Sequence, residues 1–380
     1  MEIAPFLLVE LLLWLACLLL ALRFLRFVRA GREQGKVAAT VAPSVTLVIV
    51  TQDDEASLRE VLPRFLEQQY AGEYMVVVAD IRSKDDTLAY LEDMEERYPQ
   101  LSHTTVPASA RDISLQRLAM TLGQRSACTE WVVFTQPGCC PSGPTWLTAF
   151  MAQAGSGKDA VLGLTVYAPW HGWTECKQQF FRLWQQSLWL PFAQTHAPYR
   201  AEESLLAYRT DHFRQHGGFG VDANLISGAA TLLVNKNIAR GRCAASLNRD
   251  SILVQNLPPH RKWQEDRSFF METRQHTAQG FLYRLRYAVC ALTPLLFTML
   301  TLALILWHIP NFYVVGALAL MWVIVLMVRA LAFSRLSRYV GIRGFGLAHP
   351  LLEMLIPLWD LSAWLRWRFT NKRTYRKKFV

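Results

Sequence analysis

Acidic and hydroxyl side chains that follow short apolar runs are the first candidates for chemistry in this chain. Residues 80–87 read Asp-Ile-Arg-Ser-Lys-Asp-Asp-Thr and come directly after an apolar run at 75–78. Asp80, Ser83 and Asp85, with Thr51 at the end of an earlier apolar run at 45–50, can hydrogen-bond the hydroxyls of a ligand. The same side chains can also cap a turn and the helix that follows it, and for Asp80 both readings stand. A third run at 131–134 leads into Thr-Gln-Pro-Gly-Cys-Cys-Pro at 135–141. A soft-metal role for Cys139 and Cys140 would need His or further Cys at ligand spacing, and none is near, so packing beneath a loop is expected. Trp184 and Trp189 lie in an aromatic-rich helical pattern at 178–192. Core or interface packing is expected of them rather than stacking on a sugar or lipid.

The elements that must position these residues follow from hydrophobic period. Runs 45–50, 75–78, 131–134 and 161–166 are apolar without alternation, as strands covered on both faces are. Between them, 57–69 places Leu58, Val61, Leu62, Phe65 and Leu66 on one helical side, and 114–123 forms another helix. Strand, helix, strand, helix implies an α/β fold with a predominantly parallel sheet, and ligands of such sheets bind beyond the carboxyl ends of the strands. Asp80 and residues 83–86 sit at such an end.

The composition requires an apolar environment outside this domain. Hydrophobic residues make up 52% of the chain and charged ones 18%, with 13 Trp. Residues 4–22 are apolar apart from Glu10, long enough to cross about 30 Å of hydrocarbon. Glu2 precedes this run and Arg23, Arg26, Arg29, Arg32 and Lys36 follow it, the reverse of a cleaved signal peptide, so a retained N-terminal transmembrane helix at 4–28 is expected. Glu10, within two turns of the outer end, is expected to be partly hydrated. Residues 288–309 and 312–333, separated by Pro310 and Asn311, predict a transmembrane hairpin at 288–333. Arg284 and Arg286 before it, with Arg329, Arg335 and Arg338 toward and beyond its end, orient both open ends to the cytoplasm, which places the central domain at 43–275 there too. Residues 350–369 contain Glu353, Pro357, Asp360 and Arg366 and are expected as an interfacial amphipathic helix with Trp359, Trp364 and Trp367 near the headgroups, ahead of a basic tail at 370–380. The net charge of +10 is thereby assigned to membrane lipid and not to nucleic acid, because the basic residues crowd beside the apolar runs. Seven scattered Cys give neither a disulfide framework nor zinc spacing.

Taken in order, SVTLVIVTQDDEASLREVLPRFLEQQY, GEYMVVVADIRSKDDT, LQRLAMTLGQRSACTEWVVFTQPGCCPSGPTW, KDAVLGLTVY, LLAYRTDHFRQHGGFGVDANLISGAATLLVN and PPHRKWQEDRS resemble a bacterial membrane-bound branch of family 2 glycosyltransferases. The resemblance implies a GT-A (nucleotide-diphospho-sugar transferase) fold flanked by transmembrane helices in the bacterial inner membrane. It also implies a nucleotide-sugar donor, a divalent metal, Mg or Mn, and a role in envelope or exported polysaccharide synthesis.

That reaction needs a neutralised diphosphate leaving group and a base for the acceptor hydroxyl. By the resemblance, the family's Val-Asp-Asp-Gly-Ser loop is Ala79-Asp80-Ile81-Arg82-Ser83 here, so one acid of two survives, and Thr51, Asp80, Ser83 and Asp85 are the implied nucleotide-binding residues. The metal-binding Asp-Ala-Asp corresponds to Gln136-Pro137-Gly138, and the acid cluster carrying the base to Ala229-Ala230-Thr231 after Ser227-Gly228. The Gln-x-x-Arg-Trp stretch corresponds to 264–268, which keeps Gln264 and Arg267 as candidates for diphosphate or acceptor contact. Because Gln136, Gly138, Ala229, Ala230 and Thr231 bring no carboxylate, an impaired catalyst is expected, acting as a pseudoenzyme or as a partner of an active glycosyltransferase. The alternative is an enzyme using displaced acids, drawn from Asp211, Asp222, Asp250, Glu265 and Asp266.

Overall fold

A computed structural model of the chain describes residues 4–36, 42–108, 114–220, 228–278, 280–342, 345–346 and 348–370. From the N-terminus these form α1 (Ala4–Lys36), β1 (Val45–Thr51), α2 (Glu55–Leu66), β2 (Tyr74–Asp80), α3 (Thr87–Arg97), β3 (Leu101–Thr105), α4 (Leu115–Arg125) and β4 (Trp131–Thr135). Next come β5 (Cys139–Pro141), α5 (Trp146–Met151), β6 (Ala160–Gly163), β7 (Thr165–Tyr167), α6 (Trp173–Thr195), β8 (Leu206–Arg209), α7 (Thr210–Gln215) and α8 (Ala229–Asn237). The chain closes with β9 (Cys243–Ser246), β10 (Leu253–Gln255), α9 (His260–Thr273), α10 (Phe281–Trp307), α11 (Phe312–Tyr339), α12 (Ala348–Met354) and α13 (Ile356–Phe369). It divides into two compact units: residues 1–30, 169–188 and 281–363 make one, and residues 31–168, 189–280 and 364–380 the other.

The second unit is the α/β domain. Its seven-stranded sheet has the order β3-β2-β1-β4-β8-β6-β9, and β8 alone runs antiparallel to its neighbours. β1, between β2 and β4, is covered on both faces: Val45, Leu47 and Ile49 pack with Leu58, Leu62 and Phe65 of α2 on one, while α4 covers the other. On that second face, a Cβ at Gly123 would come within 2.4 Å of Val48 Cγ1, so glycine lets α4 lie directly on the strand. The register pairs Thr51 with Asp80 and Ile49 with Thr135, which brings Thr51, Asp80 and the residue after Thr135, Gln136, to the carboxyl edge of the parallel strands. The expected single strand at 161–166 is two: β6 stays in the large sheet, and β7 joins a second sheet of order β5-β10-β7. A change of sheet at Leu164 is invisible in a run short enough to be read as one strand.

The first unit is largely helical. Three helices, Pro5–Lys36, Phe281–Trp307 and Phe312–Tyr339, are long and apolar enough to cross a membrane, the first continuing beyond Ala30 into the other unit. Cys17, Phe297 and Val325 form a small core among α1, α10 and α11, with Leu13, Trp14, Leu18 and Trp322 packed against it. Two sequence expectations change here. Glu10 is not hydrated: it is 1% exposed and accepts a hydrogen bond from the Thr301 hydroxyl of α10, since a helix packed on its neighbour shields that face along its whole length. Residues 350–369 form two helices, α12 and α13, separated at Leu355 just before Pro357, and the first buries His349, Leu352 and Glu353.

The Glu353 carboxylate is the centre of that burial. Arg329 of α11 donates Nε to Oε2 at 2.9 Å and Nη2 to Oε1 at 2.5 Å, and Trp184 of α6 donates Nε1 to Oε1 at 2.7 Å. Arg23 of α1 adds Nη2 at 3.1 Å. Burial alone would raise this carboxyl, but Arg329, His349 and Arg23 overcome it and hold Glu353 well below the usual carboxylate range. The expected packing role of Trp184 thus includes a hydrogen bond to a buried charge. Trp189 is buried in the other unit.

Candidate functional site

Within the α/β unit, the loops after β1 and β2 are built as one piece. Asp53 and Arg82 adopt left-handed backbone, φ 52° and 54°, which turns each loop back toward the other. The Asp53 amide donates to Ser83 Oγ at 2.8 Å, and the Lys84 amide donates to Asp53 Oδ1 at 2.6 Å. Asp85 closes the start of two helices, accepting from the Glu55 amide of α2 at 3.1 Å and from the Thr87 amide of α3 at 3.2 Å. Hydrogen bonds from Thr87 and those amides keep its carboxyl below the usual range. Thr51, almost fully buried, accepts the Ile81 amide on its carbonyl at 2.8 Å.

Asp80 is fully buried, and its carboxylate accepts the Ser83 amide at 3.1 and 3.3 Å and the Ser83 hydroxyl. Of its two sequence readings, this geometry displays the turn-forming one. Asp80→Ala leaves the Ser83 amide without its acceptor and is expected to cost about 1–3 kcal/mol, read as a lower urea midpoint of the full-length protein. Loss of nucleotide binding with an unchanged midpoint would instead make Asp80 a ligand group.

The loop after β4 is held by neutral groups. Gln136 Oε1 accepts from Gln255 Nε2 at 3.4 Å, and the Gly138 carbonyl accepts the Asn256 amide at 2.7 Å. Gln136 and Gly138 therefore offer no anionic oxygen, and the Gln136 amide oxygen is engaged by Gln255. Among the described residues no three His, Cys, Asp or Glu side chains are grouped as a metal ion would require. The described residues of this loop do not fit a carboxylate-held Mg²⁺ or Mn²⁺. Cys139 is buried in β5, and Cys140 accepts a hydrogen bond from Arg64 Nη1 at 3.0 Å, so both pack under the loop.

Carboxylates do converge nearby, by a route that sequence spacing does not reveal. Glu203, in the segment before β8, reaches the first turn of α8: its Oε1 accepts the Ala229 amide at 3.0 Å, and its Oε2 accepts Gln116 Nε2 of α4 at 2.7 Å. Crowding by the protein raises its carboxyl, with Arg117 and the Ala229 and Ala230 amides opposing. Asp266 of α9 remains open to solvent, yet desolvation by the surrounding protein lifts its carboxyl to about 6, with Lys262 opposing and Glu203 adding to the rise. Lys262 also acts on Asp54, raised by burial in the loop after β1. Lys262 thus acts on both Asp54 and Asp266, Glu203 on Asp266, and Arg117 on Glu203. Gly228, at φ +85°, admits α9 here, since a Cβ would meet Thr273 Cγ2 at 2.5 Å.

The other sequence candidates are dispersed. Gln264 is bonded to His260 at 2.7 Å and to Arg366, while Arg267 stacks on Trp263 at 4.9 Å. Both lie on a different face of α9 from Lys262 and Asp266. Ala229, Ala230 and Thr231 are buried in α8, and Thr231 donates to the Ala201 carbonyl at 2.8 Å. Asp211 and Asp250 are exposed, Glu265 pairs with Arg261, and Asp222 lies outside the described residues. Glu203 escaped the sequence reading because 26 residues separate it from the Ala229 amide it meets; its one signal is a Glu-Glu pair directly ahead of a buried strand.

No family model matches the chain, and no curated protein is similar to it in sequence. Among solved structures it is similar to the mannosyltransferase PcManGT from Pyrobaculum calidifontis, solved with GDP-Man and Mn²⁺, at a TM-score of 0.51 and 18% identity over 92% of this chain and 99% of that one. Weaker likenesses are to S. aureus TarS 1-349 with UDP, at 0.43 and 16% identity over 88% and 92% of the two chains, and to glucosyl-3-phosphoglycerate synthase from Mycobacterium tuberculosis, at 0.40 and 13% over 64% and 84%. At such identities the likeness is one of fold, and the chain has a glycosyltransferase-like fold.

Proposed function

We propose that the protein is a membrane-anchored, glycosyltransferase-like component of bacterial envelope or exported polysaccharide synthesis, seated in the inner membrane with its α/β unit in the cytoplasm. In this reading it engages a nucleotide-diphospho-sugar, is impaired in the family's ordinary metal-assisted transfer, and serves as a partner of an active glycosyltransferase. The observation that carries the reading is the neutral Gln136–Gln255 pair where the resemblance expects metal-binding acids. Without anionic oxygens there, the charge of a departing diphosphate lacks its usual counterion. The test is donor binding by the full-length protein in detergent across uridine, guanosine and thymidine diphosphate sugars, with Mn²⁺ and with chelator. Binding indifferent to the metal, no sugar release, and co-purification of an intact glycosyltransferase are expected. Metal-dependent binding with sugar release would overturn the reading.

One observation favours a second reading, an enzyme with a non-standard site. Glu203 delivers a carboxylate to the helix turn whose own acids are missing, beside Asp266. There Asp266 takes the proton of the acceptor hydroxyl as that oxygen bonds the sugar's anomeric carbon. The nucleoside diphosphate leaves with the electrons of the broken bond, and Lys262 and Arg117 supply positive charge. Sugar transfer that persists in chelator and depends on Asp266 would select this reading over the first.

A further inference from the structure

The side-chain amide of Gln264 joins two helices, and its bonds fix the state of a neighbour. Arg366, in the last turn of α13, donates Nη1 to Gln264 Oε1, and Gln264 Nε2 lies 2.7 Å from His260 Nε2. Residues 364–369 of α13 and all of α9 belong to the α/β unit. A guanidinium has only donors, so the amide must turn its oxygen to Arg366. Its NH2 group, which also has only donors, then faces His260. His260 Nε2 must therefore accept, which makes the imidazole neutral with its proton on Nδ1.

A proton taken from water onto His260 Nε2 sets donor against donor. Were the amide to turn over, its oxygen would take the new N–H, but its NH2 group would then meet the guanidinium. No orientation satisfies both neighbours. The charged groups that face His260 through these contacts are both cations: Arg366 across the Gln264 amide, and Arg267 on the ring of Trp263, against which His260 stacks at 5.6 Å. Lys262 and Asp266 lie on another face of α9. The new charge is thus repelled as well as misfitted. His260 and Gln264 are only half-buried and Arg366 is exposed, so water reaches the contact.

Burial does little to hold the last turn of α13. From Trp364 to Phe369 every residue but Trp367 is exposed, Phe369 by 81%. A helix end of this kind frays at small cost, so one charge-assisted hydrogen bond is a large share of what keeps it closed. While it is closed, both ends of the Gln264 amide are taken, and the diphosphate or acceptor contact that the resemblance gives Gln264 has no free atom to use. We propose that the last turn of α13 is an acid-released strap: closed on α9 while His260 is neutral, it withholds Gln264 from substrate, and protonation of His260 opens it. The withholding rests on the nucleotide-diphospho-sugar reading and goes beyond it by giving that contact a control.

The test places a nitroxide on Arg368→Cys in the full-length protein in detergent, with Cys128→Ser because Cys128 is the one exposed cysteine. Label mobility is read by electron paramagnetic resonance, without donor, at about pH 8 and about pH 5, the span over which an imidazole takes its proton. With no further substitution the label is expected to be held at the higher pH and mobile at the lower. His260→Gln, which accepts from the Gln264 amide at any pH, should hold it at both, and Arg366→Ala should free it at both. Equal mobility at the two pH values without further substitution, or a His260→Gln label that is freed by acid all the same, overturns the strap. Should a variant fail to fold, the pH comparison in the otherwise unsubstituted protein still decides. Donor binding at about pH 8, across uridine, guanosine and thymidine diphosphate sugars, tests the withholding. Arg366→Ala is expected to bind at least about threefold tighter than wild type, because a closed fraction lowers apparent affinity. Equal affinity overturns the withholding. Donor bound by neither protein would instead count against the proposed function, while the label still decides the strap.

Discussion

Glu353→Ala is expected to destabilise the protein by about 3–5 kcal/mol, because it leaves two buried guanidiniums, Arg23 and Arg329, without their carboxylate. The cost arises from stranding the survivors and not from the worth of the pair itself. Glu353→Gln, which keeps an acceptor for Trp184 Nε1, is expected to lose less yet remain clearly below wild type. Thermal unfolding in a fixed detergent gives the comparison, and a loss under about 1 kcal/mol for Glu353→Ala would show that the cluster is solvated. The pH dependence has a definite sign. A carboxyl lowered from 4.5 to about 2 contributes stability that is complete above pH 4.5 and is lost as pH falls toward 2. Above that range, neutral and mildly acidic conditions should leave this contribution unchanged.

The second large effect concerns Asp266. In any assay where the full-length protein transfers or releases sugar, Asp266→Asn is expected to lower the rate about 10²–10⁴-fold, the usual range for removing a general base. Asp266 works as the base only when ionised, so with its carboxyl at about 6 the wild-type rate should fall as pH drops through 6. Glu203→Gln removes the neighbouring negative charge that helps raise Asp266, and the acid limb should move to lower pH while the Ala229 amide keeps an acceptor. A profile flat from pH 5 to 8, or an Asp266→Asn rate equal to wild type, would end the displaced-base reading and leave the impaired one.

How far the sequence showed these features depends on whether a feature is local. The strands at 45–51, 74–80 and 131–135 were legible because continuous β-branched runs have few alternatives, and the hairpin of α10 and α11 because Pro310 and Asn311 interrupt long apolar runs. Asp80 was found for the same reason, standing at the end of its own strand. Glu203 and Ala229 meet across β8 and α7, and Arg23 and Glu353 meet across most of the chain, so no window contains either pair. Signals existed nonetheless. Arg329 and Glu353 are opposite charges inside stretches otherwise apolar, and each makes the other affordable. The break at Leu355 was hidden because apolar residues continue on both sides of it.

The union of Arg23 and Glu353 also bears on how the protein is made. The two residues stand 330 positions apart, and the helical unit gathers three separate stretches of the chain. At about 5–20 residues per second, a ribosome needs roughly 15–65 s after Arg23 before it reaches Glu353. For that interval the first helix and its arginine must wait in the nascent chain, and only the last stretch to be translated can complete the unit. Products truncated before Glu353 would therefore carry an unfinished helical unit, the sort of half-assembled membrane protein that cellular quality control removes.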